Sequence, residues 1–171
     1  IVVYFSGHGI ANQKDKSTGI LPFDVDPNYS VGLPLKKLYK DLNAMDAKTV
    51  TVYLDACFTG QTRDAKMLIA DARPIIILPK EQDIPDNVNV LSAASGSQIS
   101  GAIKEKEHGL FTYYVLKGLS GDADTNKDKI VKLKELSDYV SKNVKEQAAL
   151  NGREQFPQLK SNQDKVIVKF D

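Results

Sequence analysis

The chain has 171 residues, with 23 Lys and Arg against 22 Asp and Glu, so its formal net charge is +1. This length fits one domain that buries roughly 70% of its unfolded-chain surface, and an ordinary share of hydrophobic and charged residues argues against disorder. The balanced charge does not indicate a basic surface that would bind nucleic acid or an anionic membrane. The sequence shows neither an apolar run long enough to span a bilayer nor a signal-peptide pattern. We therefore expect a cytoplasmic protein without nucleic-acid or membrane partners.

The first predicted element is a strand formed by the apolar run Ile1-Val2-Val3-Tyr4-Phe5. A run without polar alternation is typical of a strand buried on both faces, and therefore interior to a sheet. Because such a strand needs neighbours, we expect sequence upstream of residue 1 to be missing. Ser6-Gly7-His8-Gly9 and a polar loop to about residue 32 follow the run.

A strand–helix–strand unit is predicted for the first third of the chain. After Pro34, which a first helical turn tolerates, apolar residues recur at helical spacing at Leu35, Leu38, Leu42 and Met45. A second strand, residues 49–54, leads directly into Asp55-Ala56-Cys57-Phe58-Thr59-Gly60. Two strands joined through a helix run parallel, with a right-handed crossover.

The rest of the chain completes an α/β pattern. Residues 61–87 are loop-like, residues 87–92 form a third predicted strand, and residues 111–119 form a helix. A second helix over residues 133–147 carries one apolar stripe, and residues 165–170 alternate as a terminal strand. We find no repeat and no boundary, so residues 1–171 are predicted to form a single domain.

The only cysteine and an early histidine are predicted to meet at one edge of the sheet. In a parallel sheet, functional groups gather beyond the carboxyl ends of the strands, and His8 and Cys57 each follow one of the two strands. Neighbouring strands are about 5 Å apart, close enough for a Cys/His pair. The amides of Gly9 and Cys57 are candidate oxyanion donors. A lone cysteine is otherwise most often a small buried hydrophobe.

Side-chain alternation adds two candidate substrate-binding residues. Residues two apart on extended chain point the same way, so Asp55 should face with Cys57, and Ser6 with His8. A negative charge beside a thiol disfavours the thiolate, so Asp55 makes better sense as the floor of a pocket for a cationic substrate group. The alternative for Asp55 is a carboxylate that caps a loop.

These blocks resemble a known family. Tyr4-Phe5-Ser6-Gly7-His8-Gly9 and Asp55-Ala56-Cys57-Phe58-Thr59-Gly60 are similar to the two catalytic blocks of caspase-like cysteine peptidases, in the metacaspase branch and its bacterial relatives. The His-to-Cys separation of 49 residues is near the ~50 expected of caspases. Val90-Leu91-Ser92-Ala93-Ala94-Ser95, His108-Gly109-Leu110-Phe111-Thr112 and Gln155-Phe156-Pro157-Gln158-Leu159 resemble later parts of the family.

The resemblance implies a three-layer α/β/α sandwich with a mostly parallel central sheet that lacks the family's first strands. It implies a peptidase in which Cys57 is the nucleophile, His8 its partner, and Gly9 with the Cys57 amide the oxyanion hole. Asp55 and Ser6 then line a pocket that selects Arg or Lys before the cleaved bond. The implied partners are a basic peptide or protein substrate and the missing N-terminal segment, and no cofactor is required for the chemistry.

Metal sites are expected to be few. A single cysteine excludes an internal disulfide, and with only His8 and His108 a thiolate/imidazole zinc site is excluded as well. Oxygens stand at positions 1, 3, 5 and 12 of an EF-hand-like loop, supplied by Asp124, Asn126, Asp128 and Glu135. Because position 6, which favours Gly, is Lys129, a polar turn is preferred over a calcium site that activates the enzyme.

Two alternatives and one processing hypothesis remain open. The loop at residues 61–87 contains Arg63, Lys66 and Arg73, where a peptidase that prefers basic residues could cut itself. Without its first strands, the chain could instead be a non-enzymatic caspase-fold scaffold or regulatory subunit. It could also be a calcium-binding helix-loop-helix domain in which the cysteine and histidine are incidental.

Overall fold

The computed structural model of the chain describes residues 1–12, 15–26, 32–58, 83–94, 102–103 and 108–171. Its strands are β1 (Val2–Ala11), β2 (Thr18–Leu21), β3 (Leu33–Pro34), β4 (Val50–Cys57), β5 (Val88–Ser92), β6 (Ala102–Ile103), β7 (His108–Gly109), β8 (Ile130–Lys132), β9 (Gln158–Lys160) and β10 (Val166–Lys169). Its helices are α1 (Leu35–Ala44), α2 (Leu110–Lys117) and α3 (Leu133–Leu150), and a π-helical turn, Gly118–Asp122, continues α2.

A six-stranded sheet forms the centre of the described structure, in the order β3-β2-β1-β4-β5-β9. Its middle strands β1, β4 and β5 are parallel, as predicted for a strand–helix–strand unit, and α1 makes the crossover from β1 to β4. The outer strands β2, β3 and β9 pair antiparallel, so the sheet as a whole is mixed. Two further pairs, β8 with β10 and β6 with β7, lie outside this sheet.

Helices cover both faces of the sheet, as predicted for a three-layer α/β/α sandwich. On one face, alternate residues of β4 and β5 pack with the buried side of α1: Val50, Val52, Leu54, Val88, Val90, Leu35, Tyr39 and Leu42. On the other face, Tyr53 and Leu91 pack with α2 and α3 around the fully buried Phe111. Each face therefore has its own apolar core, separated by the sheet.

Helix α1 follows the predicted apolar spacing, with one exception at its end. Leu35 and Leu42 are buried, as is Tyr39 between them, because these positions return to one side of a 3.6-residue helix. Pro34 occupies the N-cap position in an extended conformation rather than the first turn. Met45, predicted to belong to the stripe, follows the last helical residue and is 51% exposed, since the chain has already turned away.

The two later helices appear where the sequence predicts them. Leu133, Leu136, Val140 and Val144 are all fully buried along α3, which extends three residues beyond the prediction to Leu150. The terminal strand also forms, as β10, but it pairs with β8 in front of α3 and not with the central sheet. Within the described ranges, none of the helices has the length and apolar composition to cross a bilayer.

Strand β1 is less buried than its sequence predicts. Val2 is 73% exposed and Tyr4 is 52% exposed, so the prediction of a strand buried on both faces is wrong. The exposed positions alternate from Val2 to His8, so they share one face of β1 that the described elements leave largely open. Strand β2, which lies in a stretch predicted as a polar loop, pairs with the second half of β1, from His8 to Ala11. The first half of β1 has β4 as its one neighbour within the described residues.

Candidate active site

The structure brings His8 and Cys57 together as register partners on adjacent parallel strands. The two residues lie inside the strands rather than after them, because β1 continues to Ala11 and β4 continues through Cys57. Parallel neighbours are about 4.8 Å apart in the hydrogen-bonding direction, and partners in register present their side chains on one face. The predicted meeting of the two residues at the carboxyl end of β4 is therefore observed.

The two residues differ in exposure. His8 is exposed, whereas Cys57 is only 5% exposed, so the thiol lies at the bottom of the site and the imidazole lies at its rim. Gly9, next to the histidine, is buried, and a Cβ there would lie 2.7 Å from the Cys57 carbonyl oxygen and overlap the Phe58 ring. Only glycine allows the two strand ends to approach this closely.

Ser6 and Asp55 form the second register pair before His8 and Cys57, with the pair Gly7 and Ala56 between them. They lie two residues before His8 and Cys57, about 6.6 Å further into the sheet, and on the same face. Ser6 is exposed, while Asp55 is fully buried. The alternation predicted from the sequence thus places an acidic group below the exposed strip formed by Ser6 and His8.

Asp55 contacts the first turn of α2. The Thr112 hydroxyl donates a hydrogen bond of 2.5 Å to Asp55 Oδ2, and a Cβ at Gly109, the N-cap residue, would overlap the carboxylate. A carboxylate at a helix N-terminus is stabilised by the macrodipole. Asp55 lies within β4 and accepts a hydrogen bond from a distant helix, and the alternative of a loop-capping role stays a prediction.

Sequence reasoning assigned no role to three residues around Asp55, namely Tyr4, Gly109 and Thr112. Tyr4 was detectable, because it precedes Ser6 by two residues and shares its face; its hydroxyl lies 2.9 Å from Thr112 Oγ1. Thr112 and Gly109 approach Asp55 only through the packing of α2 on the sheet, which no local pattern encodes.

Burial raises the pKa of Tyr53, the register partner of Tyr4, to about 12, which keeps its hydroxyl protonated at neutral pH.

The EF-hand-like segment, residues 124–135, follows the π-helical turn that continues α2. Each of its four candidate ligands accepts a hydrogen bond from a backbone N–H of the same segment. These ligands are Asp124, Asn126, Asp128 and Glu135. Lys129, at the position that favours Gly, adopts a left-handed conformation with φ of 63°. Among the residues that the structure describes, no three His, Cys, Asp or Glu side chains are gathered as a metal site. The calcium prediction stays untested.

The predicted processing loop falls mostly outside the described residues. Arg63, Lys66 and Arg73 all belong to residues 59–82, so the proposed cleavage sites carry no structural description.

A family comparison decides the class of the protein. Residues 1–168 match the family described as the caspase domain. The chain belongs to the caspase-domain family. A comparison with curated proteins finds no match. Members of this family are cysteine peptidases with a caspase-like α/β fold. The mixed sheet with helices on both faces agrees with that fold.

Proposed function

We propose that this caspase-domain chain is a cysteine endopeptidase of the metacaspase branch that cleaves after Arg or Lys. The observation that carries the proposal is the register pairing of His8 with Cys57 at the carboxyl end of β4. A buried Asp55, two register pairs deeper on the same face, supports a preference for cationic side chains. Animal caspases, which select Asp, carry an uncharged Gln in the corresponding Gln-Ala-Cys block.

In the proposed reaction, Cys57 Sγ attacks the carbonyl carbon of the scissile bond. A thioester C–S bond forms and the C–N bond breaks, and the proton of the Cys57 thiol passes through His8 to the leaving amine. The amides of Gly9 and Cys57 donate hydrogen bonds to the carbonyl oxygen as negative charge develops on it. Water then hydrolyses the thioester and restores the thiol. The exposed position of His8 suits a group that exchanges protons with a leaving group and then with water.

Specificity is proposed to reside in Asp55 and Ser6. A basic side chain that enters beside Cys57 would run along the shared face of β1 and β4 toward the carboxylate. Burial strengthens the attraction between the carboxylate and a cation, because the surroundings screen charge less than water does. The exposed Ser6 hydroxyl lies opposite as a second hydrogen-bonding group.

Hydrolysis of short fluorogenic peptides that end in Arg, Lys, Asp or Leu tests the proposal. We expect cleavage after Arg and Lys, and we expect it to disappear in Cys57→Ala. Cleavage only after Asp would remove the specificity argument and leave the peptidase. No cleavage after any residue would favour the scaffold alternative, and the same assay with and without calcium tests an activating role for residues 124–135.

Processing of the chain by its own activity is a separate proposal. Arg63, Lys66 and Arg73 lie in the segment that follows the nucleophile, and each offers the proposed enzyme a cleavage site. Mass spectrometry of the purified chain should show a cut after one of them. The same cut in Cys57→Ala would assign it to another peptidase.

A further inference from the structure

A chain of hydrogen-bonded side chains runs from the surface of β1 to the buried carboxylate of β4. The Tyr4 hydroxyl lies 2.9 Å from Thr112 Oγ1, and Thr112 Oγ1 lies 2.5 Å from Asp55 Oδ2. Exposure falls along the chain, from 52% at Tyr4 to 8% at Thr112 and zero at Asp55. The three residues come from three different elements, and 108 positions separate Tyr4 from Thr112.

The direction of the two hydrogen bonds follows from which groups carry a proton. A carboxylate only accepts hydrogen bonds, so the Thr112 hydroxyl donates its one proton to Asp55. The Thr112 oxygen can then only accept from Tyr4, whose phenol supplies the other proton. All the dipoles in the chain point toward the carboxylate, and bonds aligned in this way polarise one another.

The surrounding backbone holds the carboxylate in place as well. Gly109 lies so close to Asp55 that no side chain fits between α2 and β4 at this level. Thr112 is the third residue of α2, where a hydroxyl often forms a hydrogen bond with the backbone of its own helix. Here the hydroxyl instead donates to Asp55 on the strand. Among the described residues, α2 thus holds Asp55 through the Thr112 hydrogen bond and through the close approach of the Gly109 backbone.

We infer that Thr112, assisted by Tyr4, is a positioning residue that sets the plane of the Asp55 carboxylate for recognition of a basic side chain. The inference rests on the proposed function, since it assigns the site a finer selectivity. A guanidinium is a planar fork that pairs best with a carboxylate of fixed plane, whereas an ammonium is a compact point charge that tolerates rotation. Loss of the Thr112 hydroxyl should therefore weaken recognition of Arg more than that of Lys.

Steady-state kinetics on matched Arg and Lys peptides provide the first test. In Thr112→Val we expect kcat/KM for Arg to fall roughly 10-fold or more, mainly through KM, and the Arg-to-Lys ratio to fall with it. Thr112→Ser, which keeps the hydroxyl, should restore the ratio, and Tyr4→Phe should give a smaller loss of roughly threefold. An unchanged Arg-to-Lys ratio in Thr112→Val would overturn the inference.

Thr51→Val is the matched control for these variants. Thr51 lies in the same strand as Asp55, four residues before it on the same face, and is 4% exposed. The substitution removes a buried hydroxyl of the same kind outside the hydrogen-bonded chain. It should leave the Arg-to-Lys ratio unchanged, so an equal drop in both threonine variants would indicate general damage to the core and contradict a positioning role.

A binding measurement separates the inference from the peptidase proposal. Calorimetry with a peptide amide that ends in Arg is performed on Cys57→Ala and on Cys57→Ala combined with Thr112→Val. Weaker binding in the double variant supports the inference even if the wild-type chain hydrolyses nothing, in which case only the peptidase proposal fails. Equal binding in the two variants, or no binding to Cys57→Ala, overturns the inference, even where the wild-type chain is an active peptidase.

Discussion

The two faces of β4 use alternate residues of one buried strand for different purposes. The side facing α1 carries Val50, Val52 and Leu54, and every neighbour in its cluster is apolar or a tyrosine. The side facing α2 carries Thr51, Tyr53, Asp55 and Cys57, and the Asp55 carboxylate there meets the Thr112 hydroxyl at the N-terminus of α2. A period of two residues lets one strand hold the fold on one side and place the proposed nucleophile and acidic group on the other.

This division means that neighbouring residues should respond to mutation in opposite ways. Leu54 and Asp55 are adjacent in sequence and both almost completely buried, so exposure alone does not distinguish them. Substitution on the α1 face should affect the free energy of unfolding, whereas substitution of Asp55 or Cys57 on the α2 face should affect catalysis and specificity.

The largest effect on stability is expected for Leu54→Ala. Leu54 is 1% exposed within the α1-facing cluster, and truncation of such a side chain costs about 2–5 kcal/mol through lost transfer energy and a cavity. Urea unfolding measures the loss, and the kcat/KM of the folded fraction should stay close to that of wild type. A small change in unfolding energy with a large loss of kcat/KM would break the division between the faces.

Asp55→Asn should give the reverse result. Asparagine keeps the shape and still accepts the Thr112 hydrogen bond, but it removes the charge that is proposed to hold a basic side chain. We expect kcat/KM for Arg peptides to fall roughly 100-fold. The free energy of unfolding should fall by only about 0.3–1 kcal/mol, because one charge at a helix N-terminus is lost. Undiminished cleavage after Arg would show that Asp55 serves the fold alone.

Gly109→Ala should affect both properties moderately. The added methyl group would overlap the Asp55 carboxylate, so α2 must shift away from β4, at a cost of about 1–3 kcal/mol. Activity should fall because the carboxylate moves with the helix. Gly7→Ala is the comparison, since its Cβ would meet only the tip of the Phe5 ring, at 2.9 Å. Greater destabilisation by Gly7→Ala would contradict the close α2–β4 contact.

The smallest expected effect is on the free energy of unfolding at alkaline pH, where the buried tyrosines on the two faces of β4 lose their protons. Burial raises the pKa of Tyr53 from 10.0 to about 12, and it also raises the pKa of Tyr39 on the α1 side. The raised pKa of Tyr53 contributes stability that is complete below pH 10 and is lost as the pH rises toward 12. Unfolding energies at pH 8 and 11 should differ by about 1 kcal/mol less in Tyr53→Phe than in wild type. An identical pH dependence would contradict the assignment.

The sequence predicts the parallel strands, the three helices and the meeting of His8 with Cys57, because each depends on local periodicity or on crossover topology. Strand β2 was missed since four residues in a polar stretch carry no clear alternation. The exposure of Val2 and Tyr4 was missed because it depends on how other elements cover that face of β1, which the apolar run itself does not encode. Thr112 was missed for a similar reason: its role arises only when α2 packs on β4.

The pairing of β1 with β4 also determines when the site can exist. His8 and Cys57 are 49 residues apart, so they meet only after the chain between them has closed into a loop and α1 has crossed over. Closing that loop costs entropy before any contact between the strands can stabilise it. Parallel pairings of this kind are therefore slow to form. The pair of His8 and Cys57 is consequently expected to form late in folding. Under the proposed function, a chain that is still being synthesised or is partly unfolded has no assembled nucleophile and does not cleave its neighbours by this route.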